Sequence, residues 1–160
     1  MTDTDIPEFS QSLPMLLNAT LDSIMPAYRD LFARHNLTEQ QWRVLRVLWS
    51  EQGVTAADLS RQTLLSAPSL VGILDRLEGK QLIARVRSTT DRREVHIVTT
   101  AMGRELRNQI MPSVGSIHDD IRSRVSTQEW DSMVATLAKL STNADDLITT
   151  GTGPSINTSA

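Results

Sequence analysis

The sequence predicts a mainly α fold that carries one short two-stranded hairpin. Three observations lead there. Apolar residues recur at steps of three and four through most of the chain, which is one face of a helix. Helix-start signals recur as well, at Thr38–Gln41, Thr55–Asp58 and Ser126–Glu129, each placing a hydroxyl three residues before a side chain that can return the hydrogen bond. Only one pair of short β-branched runs, Ile83–Val86 and Val95–Val98, flanks a turn-forming stretch. A hydrophobic content of 39% with only 4% aromatic residues agrees with helices better than with a sandwich of sheets.

Residues 1–12 are acidic and polar and are expected to be disordered. From Leu13 to His35, Leu17, Leu21, Ile24, Tyr28 and Leu31 form one stripe, with a kink expected at Pro26. No partner for that stripe lies close in sequence, which suggests packing against another chain. A second helix follows Thr38, with Trp42, Leu45, Leu48 and Trp49 toward a core. Gly53 breaks it and leaves Val54 as a possible one-residue strand. A short helix runs from Thr55 to near Gln62. After a tight turn, Ser66 caps a fourth helix, Pro68 is tolerated in its first turn, and Leu70, Ile73, Leu74 and Leu77 form its buried stripe; Gly79 is expected to stop it. Beyond the hairpin, Thr100 caps a long helix through Leu106, Ile110, Val114, Ile117 and Ile121, with bends expected at Pro112 and Gly115. Ser126 and Glu129 open the last helix, expected to bury Trp130, Met133, Leu137, Leu140 and Leu147. Residues 149–160 have no apolar pattern and are expected to be loose.

Composition excludes several chemistries. With no cysteine, disulfides, thiol redox sensing and cysteine-ligated zinc are ruled out. No apolar run reaches the ~18 residues of a membrane span, and the polar start does not resemble a signal peptide, so a cytoplasmic protein with no membrane partner is expected. The three histidines, His35, His96 and His118, are scattered. His118, Asp119 and Asp120 are consecutive and so point to different faces of a helix. Neither a glycine-rich phosphate loop nor a nucleophile elbow is present. An enzyme is therefore not expected, nor a metal or a cofactor.

The net charge of −3 looks wrong for a nucleic-acid binder, but between Lys80 and Arg93 five basic residues face one acidic one. A local basic patch on an acidic body suits a groove-binding surface. The element order places it well: two short helices make a helix-turn-helix, and the hairpin after them is a β-wing. On the second helix Ser66, Pro68, Ser69, Gly72 and Arg76 form a slim face away from the core, suited to a major groove. At the wing tip Asp91 stands two residues before Arg93, so its carboxylate can hold that guanidinium for a narrow minor groove, with Arg87 and Arg92 on phosphates.

"LTEQQWRVL", "APSLVGILDRLEGKQLI" and "DRREVHIVTTAMG" resemble, in order and spacing, three segments of the MarR (multiple antibiotic resistance regulator) family of transcription factors. The resemblance covers residues 13–148 and includes that family's Asp-x-Arg pair, met by Asp91 and Arg93; Thr99 and Thr100 stand where Leu-Thr is usual. It implies a winged helix-turn-helix lobe at 37–100, and a homodimer formed by helices at 13–36 and 101–148 that reads near-palindromic double-stranded DNA. "RHNLTEQQWRVLRVL" and "PSLVGILDRLE" most resemble repressors of aromatic-acid catabolism, such as those of homoprotocatechuate pathways. A small aromatic carboxylate, phenolic or hydroxynicotinate-like, is the effector so implied. Asn18, Thr20, Arg29, His35 and Thr38 are the polar candidates to bind it, with Trp49 either a stacking surface or core. Thr20 stands where an arginine after "LLxA" is common. Arg43 and Arg46 read as ion-pair or phosphate residues. The alternatives are a regulator of efflux or virulence genes with another ligand, or a helical interaction dimer that leaves DNA alone. Arg93→Ala should weaken operator binding by roughly 1–3 kcal/mol, measured by gel shift.

Overall fold

The computed structural model describes residues 7–51, 53–88 and 94–142. After a single 3-10 turn at Phe9–Gln11, six helices and three strands follow: α1 Leu13–Arg34, α2 Glu39–Ser50, β1 Val54–Thr55, α3 Ala56–Thr63, α4 Ala67–Gly79, β2 Ile83–Arg87, β3 Val95–Thr99, α5 Ala101–Ser123 and α6 Thr127–Thr142. The chain divides into two compact units, residues 1–118 and 119–160.

In the first unit, α1 to α5 and the sheet enclose one apolar core. Phe32, Leu45, Leu59, Leu70, Leu77, Ile83, Ile97 and Ile110 are essentially sealed from solvent. Leu70, Ile73, Leu74 and Leu77 are all buried, as their spacing requires. Each expected helix start is present. The Thr38 hydroxyl accepts from Gln41 N–H while Gln41 Oε1 accepts from Thr38 N–H, both at 3.2 Å. The Thr55–Asp58 box repeats this, and its hydrogen bonds from Thr55 hold the Asp58 carboxyl below its ordinary pKa. Ser66 Oγ accepts from Ser69 N–H, and Thr100 Oγ1 from Gly103 N–H at 3.1 Å.

The hairpin is wider than its two runs suggested. Val54–Thr55 pairs antiparallel with β3, so the sheet has three strands in the order β1-β3-β2. Val54 faces Ile97 in that register, and burying both β-branched side chains gives the short strand its reason to form.

Helix ends depart from the sequence expectation. Gly79 is the last residue of α4 rather than its stop. The chain turns at Gln81, which takes the left-handed conformation at φ 57°. Leu82 N–H then donates to Leu77 O, and Gln81 N–H to Glu78 O, which together form a Schellman closure. Asn36 closes α1 in the same way, with Leu37 N–H donating to Phe32 O. The residue after each turn, Leu37 or Leu82, is buried, and that burial outweighs the ~1–2 kcal/mol cost of a left-handed residue with a side chain. Both α1 and α5 run on through their prolines, Pro26 and Pro112.

The terminal stripes are not buried within one chain. Leu17 and Leu21 on α1 are 40% and 51% exposed. In the second unit, α6 buries nothing fully: Met133, Leu137 and Leu140 are exposed and Trp130 is half-buried. The expectation that α6 buries these residues does not hold, because among the described residues of its own unit only the last few of α5 accompany it and give it no opposing surface; Leu147 lies outside the described residues.

Gly103 is fixed by close approach. A Cβ there would stand 2.1 Å from the Leu82 carbonyl oxygen, a backbone atom that cannot swing away. Gly103→Ala should cost about 1–3 kcal/mol, the range for overpacking a tight contact, and lower the thermal midpoint measured by circular dichroism.

Candidate nucleic-acid interface

α4 buries one side and shows the other. Its outward face carries Pro68, Val71, Gly72, Asp75 and Arg76, and all but the half-buried Gly72 are exposed. Ser66 and Ser69 are exposed at its start, and the Ser66 hydroxyl donates to Ser69 Oγ at 2.8 Å. Sequence reasoning thus grouped Ser66, Pro68, Ser69, Gly72 and Arg76 on surface that is accessible, but passed over Val71 and Asp75 on the same face. Arg87 ends β2 and is exposed. Asp91, Arg92 and Arg93 lie outside the described residues.

Arg85 carried no special weight in the sequence reading, yet it ties the hairpin to α4. From β2 its guanidinium reaches Asp75 Oδ1 at 2.7 Å and Glu78 Oε2, and its backbone N–H donates to Glu78 Oε1 at 3.2 Å. The hydrogen bond to Asp75 is the first cause raising the Arg85 pKa above its ordinary value. Asp75 and Glu78 are one turn apart, so a single planar fork meets both. That i, i+3 acidic pair, followed by an arginine on the next strand, was the available signal. The clamp also masks two carboxylates that would otherwise repel a polyanion beside the outward face of α4.

The residues proposed from sequence for a small ligand do not converge. Asn18 and Thr20 are exposed on α1, and the Thr20 hydroxyl donates to Leu16 O. The Thr38 side chain is engaged in its capping box. Trp49 packs against the core and its Nε1–H donates to Gly103 O at 3.0 Å. His35 caps the end of α1 and borders a cleft of about 540 Å³ with Lys80, Leu82 and Leu106. Arg29 pairs with Glu39 at 3.4 Å.

A second cleft, of about 310 Å³, lies between α1, α2 and α5, lined by Met25, Tyr28, Trp42, Arg43, Arg46 and Val114 among others. Its wall is aromatic: Trp42 stacks on Phe32 with centroids 4.7 Å apart and meets Trp49 edge-on at 5.5 Å. Arg43 is bound to Glu39 at 2.7 Å. Arg46 has no carboxylate partner among the described residues; it lies over Trp42, 5.8 Å from the ring centroid, and donates to Met111 Sδ. Arg46 follows Trp42 by four residues, a full turn, which was the sequence signal for a cation held over an aromatic face.

The MarR family pattern matches residues 37–95. The homoprotocatechuate degradative operon repressor of Escherichia coli is 30% identical over 122 residues, covering 76% of this chain and 82% of that protein. The chain belongs to the MarR family of transcriptional regulators. Two solved structures of such proteins share its fold. NadR in complex with 4-hydroxyphenylacetate is 31% identical with a TM-score of 0.72, over 84% of this chain and 97% of that one. CouR, a transcriptional repressor bound to a 23-mer DNA duplex, is 26% identical with a TM-score of 0.76, over 84% and 95%. Among the described residues of this MarR regulator, no helix is long and apolar enough to cross a membrane.

Arg85→Ala should change unfolding stability by no more than about 1 kcal/mol, as expected for partly exposed ion pairs. It should weaken duplex binding by at least a similar amount, because the carboxylates of Asp75 and Glu78 beside the outward face of α4 then lose their counter-charge and oppose a polyanion. Denaturant unfolding and fluorescence anisotropy on one preparation separate the two effects.

Proposed function

We propose that this MarR regulator is a homodimeric, cytoplasmic repressor without catalytic activity, which holds near-palindromic DNA and releases it when a small aromatic carboxylate enters the α1–α2–α5 cleft. Ser66, Pro68, Ser69, Gly72 and Arg76 meet the major groove. Arg93, held by Asp91, enters the minor groove, with Arg87 and Arg92 on phosphates. Residues 13–36 and 101–148 pair the two copies, which gives the exposed stripes of α1 and α6 an apolar partner. The observation that carries the reading is the outward face of α4 clamped to the hairpin through Arg85, in a chain that resembles a repressor bound to duplex DNA.

The effector reading rests on Arg46. A guanidinium without a carboxylate partner among the described residues, lying over an indole, suits a ligand that joins a ring to a carboxylate. Similarity to NadR, whose complex contains 4-hydroxyphenylacetate, supports that class. Sequence reasoning placed the ligand-binding residues elsewhere: of Asn18, Thr20, Arg29, His35, Thr38 and Trp49, none lines this cleft. On this reading Arg46 grips the carboxylate, in place of Arg29, whose guanidinium pairs with Glu39.

The DNA test is a gel shift against the gene's own upstream region, in which a specific shift that weakens steeply with salt is expected. For the effector, 4-hydroxyphenylacetate should raise the thermal midpoint and release DNA. Arg46→Met should bind DNA as before but lose about 1.5–3 kcal/mol of ligand affinity, the worth of a charge-assisted hydrogen bond, read by calorimetric titration. Unchanged ligand affinity in that variant would rule out the cleft as the effector site.

A further inference from the structure

Val71 stands on the outward face of α4 and is 56% exposed. Its neighbours there offer no methyl group to a base edge. Pro68 has no donor, Gly72 has no side chain, and Asp75 is occupied by Arg85 at 2.7 Å. Arg76 is exposed, and its guanidinium offers hydrogen-bond donors rather than an apolar surface. The apolar groups on this surface are therefore the ring of Pro68, in the first turn, and the isopropyl of Val71, whose methyls none of the other four residues offers. Val71 adds nothing to the core, and a β-branched residue forms helix less well than alanine.

In the major groove one base presents an apolar group, the 5-methyl of thymine, and apolar side chains are what read it. Valine in a helix holds one χ1 rotamer strongly, so its methyls are already positioned and little entropy is lost on contact. We propose that Val71 selects thymine in each half-site by packing against that methyl. This rests on the reading of α4 as the recognition helix, and adds which base it prefers and through which atoms.

The test uses the full chain and a duplex that it selects from a pool of randomised double-stranded DNA. Each thymine is replaced by uracil in turn, in both half-sites together, which removes the methyl and keeps every hydrogen-bonding group. Wild type should lose about fourfold in affinity per half-site at one position, the equivalent of one methyl no longer buried. Val71→Ala should bind the all-thymine duplex about fourfold more weakly per half-site and be indifferent to uracil there. Alanine at an exposed helix position preserves the fold, and circular dichroism verifies it. A flat uracil scan with wild type, or a Val71→Ala protein that loses as much as wild type at the same position, overturns the proposal and leaves DNA binding intact. Failure to select any duplex overturns both.

Discussion

The backbone of Leu82 is the point through which α4, the hairpin and α5 are held to one another. Its N–H closes the end of α4 on Leu77 O, and its carbonyl accepts Thr100 N–H at 3.1 Å just before α5. Gly103, one turn into α5, lies against that same carbonyl with no room for a side chain. Gly103 O in turn accepts the Trp49 indole N–H, which brings α2 to the junction. Its participants are backbone groups or a large, half-buried ring, so none can shift far without leaving a buried polar group unpaired. A helix meant to present a fixed set of atoms to a partner needs such a base, and α4 has it at its C-terminal end.

The same junction relates the proposed effector cleft to the proposed DNA face. Trp42 and Arg46 stand on α2, and Val114 on α5. Lys80, the residue after α4, donates to Asn36 O at the end of α1 and to Gln41 Oε1 at 3.1 Å, and the same Gln41 oxygen completes the cap of α2. The walls of the cleft and the end of α4 are thus joined through side chain and backbone alike. A ligand that binds one spacing of α1, α2 and α5 more tightly than another will bias where α4 points, by as much as that difference in affinity and no more.

The fold was legible in the sequence because its elements are locally consistent. Thr38, Thr55, Ser66, Thr100 and Ser126 each open a helix where a hydroxyl three residues ahead of its partner says one should open. Stops were harder to read. Gly79 looked like the terminator of α4, yet Gln81 and Asn36 make the left-handed turns, since what drives each is burial of the following leucine, a tertiary term that no local propensity carries. The site was half legible for a similar reason. The slim face of α4 follows from helical period alone, so Ser66, Pro68, Ser69, Gly72 and Arg76 could be found. The cleft depends on how side chains of three helices meet, so Arg46 read as an ion-pair or phosphate residue and Thr38 as an available hydroxyl, though its lone pairs already serve the cap.

Charge shows how an acidic chain can present a surface for a polyanion. Net charge governs the far field, but at a Debye length of ~8 Å only nearby groups act strongly on a bound partner. Around α4 those groups are Arg76, Arg85 and Arg87, with Asp75 and Glu78 as the opposing carboxylates. Had Arg85 been free, it would add one positive charge while the two acids subtract theirs. Held between them, it loses reach but converts two exposed carboxylates into members of a compact cluster with only one net negative charge, fixed in place on the helix flank. The basic residues that remain able to extend, Arg76 and Arg87, then act against a weakened local opposition. On the proposed reading, specificity and affinity are accordingly separated in space: α4 offers shape and the methyls of Val71, and the flanking arginines provide the attraction.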